Sequence, residues 1–264
     1  MSIRGMVFDC DGTLYHGSEP IGHAVGFVNR LVDELGIQVM YYTNRAYRTP
    51  EEVSAMLSGM GFPASASQVL TGGTVTAYEL QGRTAFCIGS PPLKAALEER
   101  GVTLSDNEAD FVVVGYTEDI KGSELTTAIQ LICHYNAEFV ATNQDAYIIE
   151  NGRRVQENGP LLAAVREAVG REPVIFGKPH QAGIRMARRA MGLEQEQMML
   201  VGDNLETDIQ CGISAGIDTV LLLSGVTSRQ QVEAAHPEAR PTWVAEHLGD
   251  PVWDEILNAA NGNN

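Results

Sequence analysis

The sequence has few basic residues and no long apolar run. Of its 264 residues, 18 are Lys or Arg and 34 are Asp or Glu, so the formal net charge is -16 at pH 7. Because DNA and RNA are bound largely through basic side chains that neutralise phosphates, this balance disfavours a nucleic-acid partner. No apolar run reaches the ~18 residues of a membrane-spanning helix, and residues 1–9 lack the apolar segment of a signal peptide. We therefore expect a cytoplasmic protein with neither a nucleic-acid nor a membrane partner.

Cysteine is also scarce, and the four cysteines are far apart in the chain. They form no C-x-x-C pair and have no His at zinc-ligand spacing, which argues against a disulfide framework and against a structural zinc site. We expect reduced, mostly buried thiols. The length of 264 residues, with 44% hydrophobic residues, favours a globular protein of two modest domains or one large one.

Short apolar runs that end in small or acidic residues alternate with helical patterns along most of the chain. This alternation predicts βα units around a parallel sheet. The predicted strands lie at 3–8, 37–42, 85–88, 111–115, 138–141, 198–201 and 219–223. The predicted helices lie at 21–35, 50–60, 92–100, 123–135 and 206–215. Because the middle segments have a βα pattern of their own, we expect them to form a separate α/β domain inserted into the first.

Carboxylates follow two of the predicted strands. Asp9 and Asp11 come directly after the first strand, Asp203 follows a later strand, and Asp208 lies on the first turn of the next helix. Open α/β sheets bind ligands at the carboxyl edge of their strands, so Asp9 and Asp203 could face each other there and coordinate Mg²⁺. The alternative is structural: a solvated Asp-Gly turn for the first pair and helix capping for the second.

Two further segments could bind a phosphate group. Thr43 and Asn44 end the second predicted strand and offer a hydroxyl and backbone amides to an anion. Lys178 stands between a glycine and a proline, where a single cation suits a phosphate. Taken alone, the first segment is an ordinary turn and the second a solvated surface lysine. A small phosphate ester remains compatible with the acidic chain, because one metal ion can dominate the local field.

Four motifs occur in a fixed order: D-x-D-G-T-L at 9–14, T-N at 43–44, G-K-P at 177–179 and G-D-x-x-x-T-D at 202–208. Together they resemble the haloacid dehalogenase superfamily, in particular its NagD-like or p-nitrophenyl-phosphatase-like branch. The resemblance covers nearly the whole chain. It implies an α/β fold with a Rossmann-like, doubly wound parallel sheet and an inserted α/β cap domain. The core would comprise 1–83 and 174–264, and the cap 84–173.

The resemblance also implies a function, that of a magnesium-dependent phosphatase acting on small phosphorylated metabolites. Asp9 would be the nucleophile that forms an aspartyl-phosphate, and Asp11 the general acid and base. The Asp9 carboxylate, the Asp11 carbonyl and Asp203 would hold Mg²⁺, with Asp208 and Asn204 behind them.

In the same family pattern, Thr43, Asn44 and Lys178 would bind the phosphoryl oxygens. The family's cap motif T-N-x-D matches residues 142–145 of this chain. Asn143 and Asp145 of this motif would face the substrate.

This chain departs from the family pattern at two positions. Arg45 stands where the family's T-N motif usually continues with Asn, and Tyr147 stands where many relatives have His. Both residues bear on substrate choice, and Arg45 either pairs with an acidic group elsewhere or favours a doubly anionic substrate. The family's cap surfaces can pair, so a homo-oligomer through the cap is a further expectation.

Asp11 makes a phosphatase the leading hypothesis, since a dehalogenase needs no acid to protonate a departing halide. Three alternatives use overlapping residues: a phosphonate-cleaving enzyme with a Schiff-base lysine, a phosphoaspartate receiver module, and a catalytically silent sugar-phosphate-binding protein. No lysine is placed for the first, and receivers lack a cap-sized insertion. The last is disfavoured because all residues that the chemistry needs are present.

Overall fold

The computed structural model describes residues 3–150 and 153–260. The strands are β1 (Gly5–Phe8), β2 (Tyr15–His16), β3 (Glu19–Pro20), β4 (Gln38–Thr43), β5 (Val69–Thr71), β6 (Thr84–Ile88), β7 (Thr103–Leu104), β8 (Phe111–Val114), β9 (Glu138–Ala141), β10 (Tyr147–Glu150), β11 (Arg153–Gln156), β12 (Val174–Ile175), β13 (Met198–Gly202), β14 (Asp218–Leu222) and β15 (Trp243–Ala245). The α-helices are α1 (Ala24–Asp33), α2 (Pro50–Gly59), α3 (Gly72–Glu79), α4 (Pro91–Glu99), α5 (Gly122–His134), α6 (Asn158–Val169), α7 (Ala182–Met191), α8 (Gln210–Ala215), α9 (Arg229–Ala234) and α10 (Val252–Ala260).

The chain divides into two compact units. The first comprises Met1–Thr43, Pro50–Leu70 and Lys178–Asn264, and the second Asn44–Thr49 and Thr71–Gly177. The range expected for the cap, 84–173, lies inside the second unit, which also includes 44–49, 71–83 and 174–177. The segment 44–49 belongs there because Ala46 is buried in that unit's core together with Leu80 and Leu93.

The first unit is built on a six-stranded sheet in the order β15-β14-β13-β1-β4-β5. Strand β1 pairs in parallel with β13 on one side and with β4 on the other. After β1 the chain adds β4 and β5 on one side of β1, and it later adds β13, β14 and β15 on the other side. Open α/β sheets bind ligands at the carboxyl edge where the strand order reverses in this way. Phe8 is in register with Val201, so the residues that follow β1 and β13 are neighbours.

The second unit is built on a five-stranded sheet in the order β12-β9-β8-β6-β7, with its neighbouring strands parallel. Successive residues of a strand point to opposite faces, and both faces are covered here. In β6, Phe86 and Ile88 pack into one apolar cluster, whereas Ala85 and Cys87 pack into the other. An antiparallel hairpin of β10 and β11 lies between β9 and β12 in the chain.

Most of the predicted elements are present, and the α/β class with parallel sheets is confirmed. Two helices differ. The helix predicted at 21–35 begins only at Ala24, because His23 has a left-handed backbone (φ 70°) that interrupts the helix. The helix predicted at 206–215 is a π-helix over Leu205–Ile209 that continues as α8. Such π turns are frequent at functional sites.

The cysteines show the expected burial. Cys10, Cys87 and Cys211 are buried, Cys133 is exposed, and all four are free thiols. Among the helices of residues 3–150 and 153–260, none combines the length and apolar character needed to cross a bilayer.

Candidate active site

Asp9 lies at the carboxyl end of β1, where the chain leaves the sheet of the first unit. Its backbone N–H donates to the carbonyl of Val201 (2.8 Å), and its side chain is buried. A tight turn follows, in which Leu14 N–H donates to the Cys10 carbonyl (2.8 Å). This turn carries Asp11, whose Oδ2 accepts a hydrogen bond from the Tyr15 hydroxyl (3.2 Å). The side chain of Asp11 is half-buried and therefore remains accessible.

Asp203 follows β13 and is also buried. Its Oδ1 accepts a hydrogen bond from the Thr13 hydroxyl (3.3 Å), and its Oδ2 accepts one from the Val226 N–H (2.8 Å). Thr13 belongs to the turn after β1, and Val226 to the loop after β14. The position of the Asp203 carboxylate is therefore determined by three chain segments: the turn after β1, the loop after β14 and the end of β13.

Asp208 lies in the π-helix and connects it to the end of β13. Its Oδ2 accepts the N–H groups of Asp203 (3.2 Å) and Asn204 (3.0 Å). The side chain of Asn204 caps the same π-helix, since its Oδ1 accepts the N–H of Glu206 (2.9 Å). The capping role considered for Asp203 and Asp208 is performed by Asn204, whereas Asp208 accepts hydrogen bonds from the backbone in front of the π-helix.

The carboxylates of Asp9, Asp203 and Asp208 form one buried cluster, in which one oxygen of each lies within 4.8 Å of the others. Nζ of Lys178 lies 2.5 Å from Oδ1 of Asp9 and 2.7 Å from Oδ1 of Asp208. It also donates to the carbonyl of Tyr42 (3.1 Å). Three ionised carboxylates and one ammonium carry a formal charge of -2, which matches a divalent cation.

Burial changes the ionisation of these groups. Burial raises the pKa of Asp9 well above its ordinary value, with Asp208 and Asp203 adding repulsion and Lys178 opposing them. Burial and the neighbouring Asp208 raise the pKa of Asp203 to about 7. For Lys178, burial alone would lower the pKa, but Asp208 and Asp9 outweigh it and raise the pKa. A bound cation would favour the ionised carboxylates in the same way, so the donor set fits a metal.

The other predicted site residues fall in both units. Thr43 is the last residue of β4 and is buried in the first unit. Asn44, the next residue in the chain, belongs to the second unit, where its side-chain amide donates to Oδ2 of Asp145 (3.1 Å). Arg45 is also buried, at 8% exposure, and its guanidinium carbon lies 5.9 Å from the centre of the Tyr47 ring.

The predicted cap residues Asn143, Asp145 and Tyr147 differ in exposure. Asn143 is only 1% exposed, and its amide donates to Asp145 (2.8 Å) and to Glu157 (2.7 Å). Asp145 is half-buried. Tyr147 is 42% exposed, with the guanidinium of Arg154 4.3 Å from the centre of its ring. Asn143 is therefore placed to hold its neighbours, and Asp145 and Tyr147 are the members with accessible surface.

Sequence reasoning missed two residues of these networks. Thr13 lies within the first motif, but nothing in its local sequence indicated a bond to a carboxylate 190 positions away. Glu157 precedes the Asn-Gly pair at the start of α6 and is 1% exposed. Nothing in its local sequence indicated this burial, because glutamate is usually exposed.

Comparison with known proteins identifies the family. Residues 6–103 match the model of the haloacid dehalogenase-like hydrolases, and residues 175–251 match a second model of the same group, the HAD-hydrolase-like family. The 5'-nucleotidase YutF of Bacillus subtilis is 35% identical over 233 residues, which cover 87% of this chain and 90% of that protein. The chain belongs to the haloacid dehalogenase-like hydrolases.

Solved structures of this hydrolase family have the same fold. A 4-nitrophenylphosphatase from Thermotoga maritima is 27% identical with a TM-score of 0.86, and the match covers 99% of this chain and 98% of that one. A glycerol phosphate phosphatase from Mycobacterium tuberculosis, solved in complex with magnesium, is 29% identical with a TM-score of 0.85. That match covers 93% of this chain and 76% of the other. The resemblance to the NagD-like, p-nitrophenyl-phosphatase-like branch is confirmed.

These relatives are phosphatases, and this haloacid dehalogenase-like hydrolase is a phosphoric monoester hydrolase that acts on small phosphorylated substrates. The family mechanism depends on a divalent metal ion and proceeds through an aspartyl-phosphate.

Proposed function

We propose that Asp9 is the nucleophile of this phosphatase and Asp11 its general acid and base. The observation that carries the proposal is the buried carboxylate cluster at the carboxyl edge of β1 and β13, with Lys178 beside Asp9. Asp9 is held rigidly there, whereas Asp11 is accessible and oriented by the Tyr15 hydroxyl. These different surroundings suit two carboxylates that perform different tasks.

The chemistry proceeds in two steps. An oxygen of the Asp9 carboxylate attacks phosphorus, and the bond from phosphorus to the ester oxygen breaks while Asp11 donates its proton to that oxygen. Asp11, now ionised, takes a proton from a water molecule, whose oxygen attacks phosphorus. The bond from phosphorus to Asp9 then breaks, which releases inorganic phosphate and restores both carboxyl groups.

Three groups are proposed to bind the transferred phosphoryl group. Lys178 carries a positive charge that its two carboxylate neighbours maintain, so it would offset the charge of the phosphoryl oxygens. The hydroxyl of Thr43 and the backbone N–H of Asn44, the next residue in the chain, would donate to the same oxygens. A buried, hydrogen-bonded ammonium loses little freedom when it binds, which favours it over a mobile surface lysine.

The proposed metal is Mg²⁺, which prefers carboxylate and carbonyl oxygens. Asp9, Asp203 and the Asp11 carbonyl would hold it. Asp208 fits a supporting position, because its Oδ2 already accepts two backbone N–H groups and its Oδ1 contacts Lys178. Asn204, which caps the π-helix, would support the same site. When bound, the metal would stabilise negative charge on the phosphoryl oxygens.

The second unit is proposed to act as the cap that selects the substrate, with Asn143, Asp145, Tyr147 and Arg45 contributing. A relative named as a 5'-nucleotidase and another named as an acid sugar phosphatase support nucleoside monophosphates and sugar phosphates as candidates. Such substrates carry hydroxyl groups, for which a half-buried carboxylate such as Asp145 is a suitable acceptor. The cytoplasmic location and a homo-oligomer through the cap stay predictions.

A steady-state assay with 4-nitrophenyl phosphate and Mg²⁺ tests the assignment. Asp9→Asn should lower kcat by a factor on the order of 10³ or more, because the nucleophile is lost. Asp11→Asn should lower kcat by roughly 10²–10⁴, the usual contribution of general acid-base catalysis. Asp33→Asn, at an exposed position at the end of α1, is the matched control and should leave kcat unchanged. Activity that persists in Asp9→Asn would rule the mechanism out.

A further inference from the structure

Glu157 is buried in the second unit at the start of α6, at 1% exposure. Its Oε2 accepts hydrogen bonds from the side-chain amide of Asn143 (2.7 Å) and from the backbone N–H of Asn158. Within the described residues, its Oε1 is buried and accepts no hydrogen bond. Burying a carboxyl group costs free energy, which the two hydrogen bonds to Oε2 partly offset.

The side-chain amide of Asn143 links Glu157 to Asp145 through hydrogen bonds. One N–H of the Asn143 amide donates to Glu157, and the same nitrogen donates to Oδ2 of Asp145 (2.8 Å). Its Oδ1 accepts the Thr142 hydroxyl (2.9 Å). Because both ends of the amide are engaged, the side chain has a single orientation. Without Glu157, one buried N–H would lose its acceptor and the amide would be free to turn.

The backbone of the same loop is held by the start of α6. The N–H of Gly159 donates to the Asp145 carbonyl (2.8 Å), and the Asn158 side chain donates to the Asn143 carbonyl (2.8 Å). A Cβ at Gly159 would lie 2.8 Å from Cα of Ala146, so only glycine permits this close approach. These contacts do not involve the Glu157 side chain, which acts on the side-chain amide of Asn143 and on the backbone N–H of Asn158.

Asp145 is the accessible end of this chain of contacts. Its Oδ2 accepts the amides of Asn143 and Asn44, whereas within the described residues its Oδ1 accepts no hydrogen bond. A substrate hydroxyl could donate to that oxygen. The electrostatic environment supports the same coupling, since Asp145 and Arg45 are the charged groups that act on Glu157.

We propose that Glu157 is a positioning residue for substrate recognition, which orients the Asn143 amide and thereby the Asp145 carboxylate towards a hydroxyl group of the substrate. The inference rests on the proposed role of the second unit in substrate selection. Glu157 would touch no reacting atom. Its effect should therefore appear in KM for hydroxyl-bearing phosphate esters and not in the chemistry itself.

The test compares Glu157→Met, Glu157→Gln and the wild type on glycerol phosphate and on 4-nitrophenyl phosphate, which has no hydroxyl group. Glu157→Met keeps the side-chain length but has no strong acceptor, so KM for glycerol phosphate should rise about tenfold, the effect of one lost hydrogen bond. Its kcat and KM for 4-nitrophenyl phosphate should stay within about twofold of wild type. Glu157→Gln retains an acceptor oxygen for Asn143 and should restore the wild-type KM. Glu172→Met, at a side chain 77% exposed, is the control.

A double-mutant cycle with Asp145→Ala completes the test. If Glu157 acts through Asp145, Glu157→Met should add no further increase in KM for glycerol phosphate to that of Asp145→Ala. Equal KM increases for both substrates, or additive effects in the cycle, would overturn the inference. If Glu157→Met does not fold, Asn143→Ala removes the same link and is judged by the same comparison. These outcomes are independent of Asp9→Asn, whose retained activity would overturn the proposed function instead.

Discussion

Nζ of Lys178 lies 2.7 Å from Oδ1 of Asp208, and both side chains are almost fully buried. Asp208 is held by two backbone N–H groups through its other oxygen, so it fixes the ammonium beside Asp9. The lysine is therefore part of a rigid, desolvated charge cluster, and the alternative of a solvated surface lysine is wrong.

Lys178→Met should impair both stability and catalysis. Removing one partner of a buried ion pair leaves uncompensated carboxylates, which typically lowers the free energy of unfolding by about 3–5 kcal/mol. kcat for 4-nitrophenyl phosphate should fall on the order of 10²-fold, since a donor to the phosphoryl group is lost. Chemical denaturation and steady-state kinetics measure the two effects.

Lys94→Met is the control, because Lys94 is 38% exposed and pairs with Glu124 near the surface. The free energy of unfolding of Lys94→Met should differ from that of the wild type by less than about 0.5 kcal/mol. Wild-type kcat in Lys178→Met would contradict the role.

Gly12→Ala should displace Asp203. Gly12 has φ +80°, and a Cβ there would lie 2.4 Å from Oδ2 of Asp203. Gly17 has a similar φ of +62°, but a Cβ there would meet no heavy atom of the described residues within 4 Å, so Gly17→Ala carries the backbone strain alone, about 1–2 kcal/mol. We expect kcat to fall on the order of 10²-fold in Gly12→Ala and to stay unchanged in Gly17→Ala. Equal kcat values in the two variants would show that Asp203 tolerates the added methyl group.

Metal removal should lower the melting temperature of the wild type. A ligand that binds only the folded state stabilises it by about 2.7 kcal/mol at a hundred times its Kd. Thermal unfolding with excess Mg²⁺ and with a chelator measures this difference. Asp203→Asn, which removes one carboxylate of the cluster, should abolish most of the Mg²⁺-dependent shift. If Asp203→Asn kept the full Mg²⁺-dependent shift in melting temperature, the metal would bind at another site.

Glu157 should make stability depend on pH near neutrality. Burial raises its pKa from the ordinary 4.5 to about 7, with Asp145 raising it further and Arg45 and the hydrogen bonds from Asn158 and Asn143 opposing the rise. Because the folded pKa is the higher one, the stabilisation is complete below about 4.5 and is lost as the pH rises through about 7.

At about 1.4 kcal/mol per pH unit, this loss amounts to roughly 3 kcal/mol. Denaturation of the wild type and of Glu157→Gln between pH 4 and pH 8 measures it. The free energy of unfolding of the wild type should fall by that amount relative to the variant. Parallel curves would show that Glu157 does not take up a proton in this range.

Local sequence was sufficient for much of the fold because buried parallel strands are short apolar runs. The run at 198–201 became β13, and the run at 3–8 became β1, which starts two residues later. The residue types of the site could be predicted for a related reason: carboxylates that follow such strands reach the carboxyl edge of the sheet. The boundaries of the two units could not be predicted from local sequence, because the segment 44–49 packs through Ala46 against residues far along the chain.

The sequence by itself therefore determined the α/β class and the order of the strands along the chain, since hydrophobic periodicity is a local property, and its resemblance to a known family predicted Asp9 as the nucleophile. Only the tertiary structure decided that Lys178 is buried between Asp9 and Asp208, that Thr13 binds Asp203, and that Glu157 holds Asn143. The physical reason is that burial and hydrogen bonding join residues that are distant in the chain, such as Thr13 and Asp203 at 190 positions apart, which no local pattern records.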